Sequence, residues 1–158
     1  MQAQDARQEP KRLLGLNELF VAEKNVGASS HYRINVDGEY IGKFKSSGLI
    51  ISSGTGSTGW LHSAKRFTEN DVQHALERMG CAGEPAEVIK QTADELSLST
   101  CFEPDRNELY YLVREPAIKP DYEGQWEGFC KKIEFMSELN DGQISIDGLT
   151  SVDLGLGD

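Results

Sequence analysis

Cysteine is scarce in this sequence. Cys81, Cys101 and Cys130 are odd in number and far apart, with no C-x-x-C pair. That spacing excludes a disulfide framework and a zinc knuckle, and it points to a reducing compartment with the thiols packed in the interior. Positive charge is also in short supply: 16 Lys and Arg against 26 Asp and Glu leave a net charge of −10. Such a balance repels a phosphate backbone and excludes nucleic acid as an expected partner. Long apolar runs are missing, and nothing approaches the roughly 20 residues of a membrane span. No membrane partner is expected. The first twelve residues are polar, carry Asp5 and Glu9, and lack both the apolar core of a signal peptide and the character of a cationic import helix. His31, His62 and His74 form no H-E-x-x-H arrangement, and no His, Cys or Asp cluster has ligand spacing, so no protein-held metal is expected. A G-x-S-x-G elbow is absent too.

What is present is the composition of an ordinary globular domain: 38% apolar and 27% charged residues in 158. Leu13 to Ala22 is an apolar run that reads as a buried strand. His31 to Val36 alternates, Asp37-Gly38 supplies a two-residue turn with positive φ, and Glu39 to Phe44 returns, which together make a hairpin. Gly48 to Ser52 is a short apolar strand that runs into small residues, Ser53 to Gly59, and then Trp60. Thr68 and Asp71 form a capping box ahead of an amphipathic helix that Gly80 stops. A second helix starts near Pro85, carries Val88, Ile89, Thr92, Ala93 and Leu96 on one side, and ends near Ser97. Strand patterns resume at Leu109 to Val113, Phe129 to Met136 and Gln143 to Ile146, with turns at Asn140-Asp141-Gly142 and Asp147-Gly148. Strands flanking a helical insertion predict an α+β, mainly β fold: an antiparallel two-layer β domain with a two-helix insertion, and not a doubly wound parallel sheet.

Two places carry polar chemistry. In the small-residue loop, glycines permit close backbone approach, Thr55, Ser57 and Thr58 bring hydroxyls, and Trp60 brings a flat face for a base. The same composition also describes a plain surface turn, because the Lys of G-x-x-x-x-G-K-[ST] is missing. Asn17 and Glu18 interrupt an apolar strand. A carboxylate accepts both hydroxyls of a ribose diol and an amide donates and accepts, so the pair suits a sugar; alternatively, Glu18 faces solvent. Neighbours in a strand point to opposite faces, so both reach one ligand only at a strand end or bulge.

In order, Leu16-Asn17-Glu18, the Asp37-Gly38 hairpin, Gly48-Leu49-Ile50-Ile51-Ser52 and Thr55-Gly56-Ser57-Thr58-Gly59-Trp60 resemble the C-terminal domain of NAD kinases. There an N-E pair, a hairpin, a G-L-I-I-S strand and a T-P-T-G-S-T-A-Y loop follow one another. The T-G-S loop ending in Trp, Ser46-Ser47-Gly48, the helical insertion and Val113-Arg114-Glu115-Pro116 look most like the mitochondrial type. The resemblance implies ATP-dependent phosphorylation of the adenosine ribose 2′-hydroxyl of NAD to give NADP. It implies that Asn17 and Glu18 contact ribose hydroxyls, that Thr55, Ser57, Thr58, Gly59 and Trp60 form the loop and base pocket, and that Ser63 reaches the dinucleotide. Gly59 and Trp60 replace the usual Ala and Tyr, which keeps a stacking face but exchanges a phenol hydroxyl for an indole donor. Ser47 stands where many bacterial members have an Asp that reaches a neighbouring subunit's ligand.

The family's G-G-D-G-T motif, with its catalytic Asp, is absent from this sequence. Residues 1–12 are therefore expected to be a polar tail and residues 13–158 an NAD-binding domain, a fragment lacking the N-terminal catalytic α/β domain and a final strand. No catalytic residue and no kinase activity are expected of the chain alone. By resemblance NAD is the substrate, ATP and Mg2+ act in the full enzyme, the assembly is a homo-oligomer such as a homodimer, and the location is mitochondrial. The competing reading is a non-catalytic dinucleotide-binding or regulatory domain.

Overall fold

The computed structural model describes residues 12–122 and 124–158, so most of the expected N-terminal tail lies outside the described residues. Among the described residues, nine strands and three α-helices follow one another: β1 (Glu18–Glu23), β2 (Ser30–Val36), β3 (Glu39–Ser46), β4 (Gly48–Ser52), α1 (Trp60–Ala64), α2 (Glu69–Arg78), α3 (Ala86–Leu98), β5 (Leu109–Arg114), β6 (Glu127–Cys130), β7 (Ile133–Ser137), β8 (Gly142–Ile146) and β9 (Thr150–Leu154). A 3-10 turn over Thr55–Thr58 joins β4 to α1. Six strands form one sheet in the order β6-β5-β4-β1-β8-β9, and three form a second in the order β3-β2-β7. All named pairings are antiparallel.

The two sheets bury a common core in which Val21, Leu49 and Tyr111 of the larger meet Tyr32, Ile34 and Phe44 of the smaller. Antiparallel partners share a face, so the registers Glu18↔Ser52↔Tyr110 and Phe20↔Ile50↔Leu112 define the opposite face of the larger sheet. That outer face carries α1. Strand β4 is therefore covered on both sides and every residue in it is buried, which explains its unbroken apolar sequence.

The hairpin, both helices and the capping box stand where the sequence places them. Thr68 Oγ1 accepts from the Asp71 N–H, and the Asp71 carboxylate accepts from the Thr68 N–H at 2.8 Å. Five details differ from expectation. The first strand starts at Glu18 and not at Leu13: Leu13, Leu14 and Leu16 are exposed, because the N–H groups entering β1 are captured by a carboxylate before the ladder begins. The run from Phe129 to Met136 is two strands in different sheets. It breaks at Lys131 and Lys132, whose N–H groups donate to Asp37 Oδ1 at 3.0 and 2.8 Å. In α3 the buried line runs through Ala93 and Ser97, while Val88 and Leu96 are exposed. Cys130 is buried as expected, but Cys81 is exposed and Cys101 only partly covered. Strand β9, which pairs with β8 through the Asp147-Gly148 turn, was not anticipated by the sequence pattern.

Candidate functional site

Asn17 and Glu18 occupy the corner where the chain bends into β1. Two devices hold that corner. From one side the Asp147 carboxylate accepts the N–H groups of Leu16 at 2.7 Å, Asn17 at 2.7 Å and Glu18 at 3.0 Å, and the Asp147 N–H donates to the Glu18 carbonyl at 3.0 Å. From the other, Ser53 donates its N–H to the Asn17 carbonyl at 2.9 Å and its hydroxyl to the Leu16 carbonyl at 2.6 Å. These backbone donors keep the Asp147 carboxyl below its usual range. Glu18 is pushed the other way, first by partial burial and then by the charge of Asp147.

The loop that follows β4 is a tight helical turn, not a loose surface segment. Its glycines are required by contact: a Cβ on Gly56 would collide with the backbone of Asn17, and one on Gly54 with the backbone of Glu103. Ser57 is buried, and its hydroxyl is spent on the carbonyls of Gly54 and Phe102 and on the Phe102 N–H. It braces the turn. Thr55, Thr58 and Gly59 are exposed on the same turn, so their hydroxyls and backbone face outward from a rigid base.

Trp60 opens α1 and stacks obliquely on Phe20 of β1, with centroids 4.5 Å apart and planes at 47°. Phe20 lies two residues beyond Glu18 on the same strand face, so this contact links the corner to the helix. Trp60 and Ser63 then line an open cavity of about 830 Å³ together with Arg114, Glu115, Trp126 and Glu127. The Arg114 guanidinium lies 6.0 Å from the Trp60 ring centroid and bonds Glu115 at 3.0 Å. Glu115 holds a left-handed φ of 50°, and hydrogen bonds from Ser47 and then Arg114 keep its carboxyl low. A flat apolar wall with one cation and two carboxylates at its rim suits a heteroaromatic ring bearing a polar substituent.

The sequence patterns do not single out Trp126 and Glu127, which line the cavity, or Lys65, which reaches Glu127 from the end of α1. Lys65, at the end of α1, donates to the Tyr110 hydroxyl at 2.7 Å and pairs with Glu127 at 2.7 Å, fixing the helix to β5 and β6. Desolvation pulls the Lys65 ammonium down, but the bonds from Glu127 and Tyr110 outweigh it and leave it raised. Asp147 was legible only as a turn residue. Among the described residues, no three His, Cys, Asp or Glu side chains come together to hold a metal ion, and no helix is long and apolar enough to cross a membrane.

This architecture is that of the NAD kinase C-terminal domain, and residues 16–66 match the family described as the ATP-NAD kinase C-terminal domain. The matched segment carries the Asn17–Glu18 corner, β4 and the turn that leads into Trp60. It is 29% identical over 148 residues to the mitochondrial NAD kinase 2 of Homo sapiens, covering 90% of this chain and 34% of that protein. It is 39% identical over 54 residues to the NAD kinase of Clostridium tetani, covering 34% of this chain and 20% of that protein. The chain therefore spans about a third of the length of the mitochondrial relatives it matches. The same fold is found in the NAD kinase from Archaeoglobus fulgidus in complex with ATP, with a TM-score of 0.53 and 22% identity over 90% of this chain and 43% of that one. Yeast NADH kinase complexed with NADH gives a TM-score of 0.53 and 18% identity over 90% of this chain and 32% of that one.

Proposed function

We propose that this chain is the NAD-binding part of an NAD kinase, which transfers the γ-phosphoryl group of ATP to the adenosine ribose 2′-hydroxyl of NAD and yields NADP. The observation that carries this reading is the continuity of the Asn17–Glu18 corner, Phe20 and Trp60 along one sheet face, ending in the cavity beside Ser63. Glu18 supplies an acceptor for the ribose hydroxyls and Asn17 an amide that both donates and accepts. Thr55, Thr58 and Gly59 present hydroxyls and open backbone, Ser57 keeps the turn rigid, and Trp60 offers the stacking face for a base.

ATP supplies the phosphoryl group in this reading, as the ATP complex of the archaeal neighbour suggests. Mg2+ belongs to the full enzyme in this reading, held by one or two carboxylates together with the substrate phosphates. The chain's own part is to bind and orient NAD, so the base that takes the ribose proton belongs to another domain, consistent with the absent G-G-D-G-T motif. A mitochondrial location follows the named relatives, and a homo-oligomer is the assembly inferred for the whole enzyme. The absent motif equally favours a second reading, a dinucleotide-binding domain without transferase activity.

Calorimetric titration with NAD tests the binding role, with a saturable one-site isotherm expected and a flat response overturning it. Incubation of the native protein that carries this domain with ATP, Mg2+ and NAD separates the two readings: NADP appears if it is a kinase and not if it only binds.

A further inference from the structure

Three successive backbone N–H groups, those of Leu16, Asn17 and Glu18, converge on one carboxylate. In an extended strand, successive N–H groups point to opposite sides and cannot do this. The chain is bent at Leu16 and Asn17 and becomes a strand only at Glu18. Regular strand geometry would send the Asn17 and Glu18 side chains to opposite faces. The bend removes that constraint, and the anion that holds it comes from a turn 130 residues away in sequence.

We propose that Asp147 is the positioning residue of the ribose subsite: its carboxylate holds the bend that lets Asn17 and Glu18 address one sugar. The proposal rests on the NAD-binding reading above. Asp147 touches no substrate and acts through the backbone it grips. Its own peptide closes the clamp, since the Asp147 N–H donates back to the Glu18 carbonyl at 3.0 Å. Ser53 completes it from the other side by holding the Asn17 and Leu16 carbonyls, so both faces of the Asn17 peptide are fixed. The turn suits the task because Asp147 and Gly148 have φ of 51° and 66°, a two-residue reversal that aims the carboxylate back across β8 toward β1.

Asp147→Asn is the informative variant. Asn tolerates the left-handed conformation and Asn-Gly forms the same turn, yet its amide offers one acceptor oxygen and sets a donor against one N–H. In the full chain, amide exchange at Leu16, Asn17 and Glu18 should accelerate about ten-fold and NAD affinity should fall about ten-fold, with the circular dichroism spectrum unchanged. Gly148→Ala strains the same turn while keeping the carboxylate, so it should lower the melting temperature with a much smaller loss of NAD affinity. The wild type gives a check that needs no variant, because the Leu16 amide, outside any strand ladder, should be protected from exchange. An unprotected Leu16 amide, or an Asp147→Asn chain that binds NAD as the wild type does, overturns the proposal. A wild type that binds no NAD overturns the ribose reading itself and is distinguishable, because in the other failures the wild type binds.

Discussion

Lys65 Nζ lies 2.7 Å from the Tyr110 hydroxyl and 4.8 Å from the centroid of the same ring, while also pairing with Glu127 at 2.7 Å. One ammonium thus ties the end of α1 to two strands, and Trp60 and Ser63 on that helix inherit its position. Lys65→Met should cost about 1 kcal/mol of stability, a charge-assisted bond discounted for the partial exposure of Glu127. NAD affinity should fall several-fold, and Lys65→Arg should recover most of both. Denaturant melts and NAD titrations of the two variants check this, and equal NAD affinity in Lys65→Met would remove the brace from the site.

Gly56 has no room for a side chain, since a Cβ would enter the Asn17 backbone. Gly56→Ala should destabilise the fold by about 1–3 kcal/mol and displace the Asn17–Glu18 corner. Gly38→Ala is the contrast: φ there is +92° with nothing within 4 Å, so only about 1 kcal/mol of backbone strain is expected and NAD affinity should stay unchanged. Thermal melts paired with NAD titrations separate the two outcomes.

Trp60 is 37% exposed, so its ring is available to a ligand. Trp60→Ala should weaken NAD binding by about 1–3 kcal/mol, while Trp60→Phe should keep much of the affinity because a stacking face remains. Calorimetry on both variants tests this. Loss of the fold in Trp60→Ala would assign the indole to packing against Phe20 instead.

Glu18 titrates above its usual 4.5, through burial first and the Asp147 charge second. Folding therefore disfavours its charged form, so the stability contributed by Glu18 grows as pH falls through the folded value. NAD binding changes in the opposite sense, because the ribose hydroxyls need an ionised acceptor. Relative to Glu18→Gln, the wild type should gain stability and lose NAD affinity over the same window above 4.5. The neighbours are simple: Ser52 pairs with Glu18 on β4, the adjacent turn of Thr55 to Thr58 has no ionisable side chain, and Asp147 is the facing charge. Titrations across that window in both proteins decide it, and parallel curves would exclude Glu18 as the acceptor.

Local chemistry made much of the fold legible. The Asp37-Gly38 turn, the Thr68 box and the apolar β4 each announce themselves within a few residues, because turn φ, cap bonding and two-sided burial are local demands. What the sequence hides is the second use of its turn aspartates. Asp37 caps Lys131 and Lys132 where the chain changes sheets, and Asp147 caps Leu16 to Glu18. Both are long-range bonds from residues already explained by their turns. The cavity was similarly hidden, since Trp60, Arg114 and Trp126 meet only after the strand order brings α1, β5 and the segment before β6 together.

The place of β1 between β4 and β8 has a consequence for synthesis. Asn17 and Glu18 are made well before the carboxylate that bends them, which belongs to residue 147. At about 5–20 residues per second, a ribosome leaves that corner open for about ten seconds, with one edge of β1 unpaired until β8 emerges. A nascent chain thus holds its core hairpin well before it holds the bend at Leu16 and Asn17, and whatever shields that edge during translation governs how much folded protein a cell recovers.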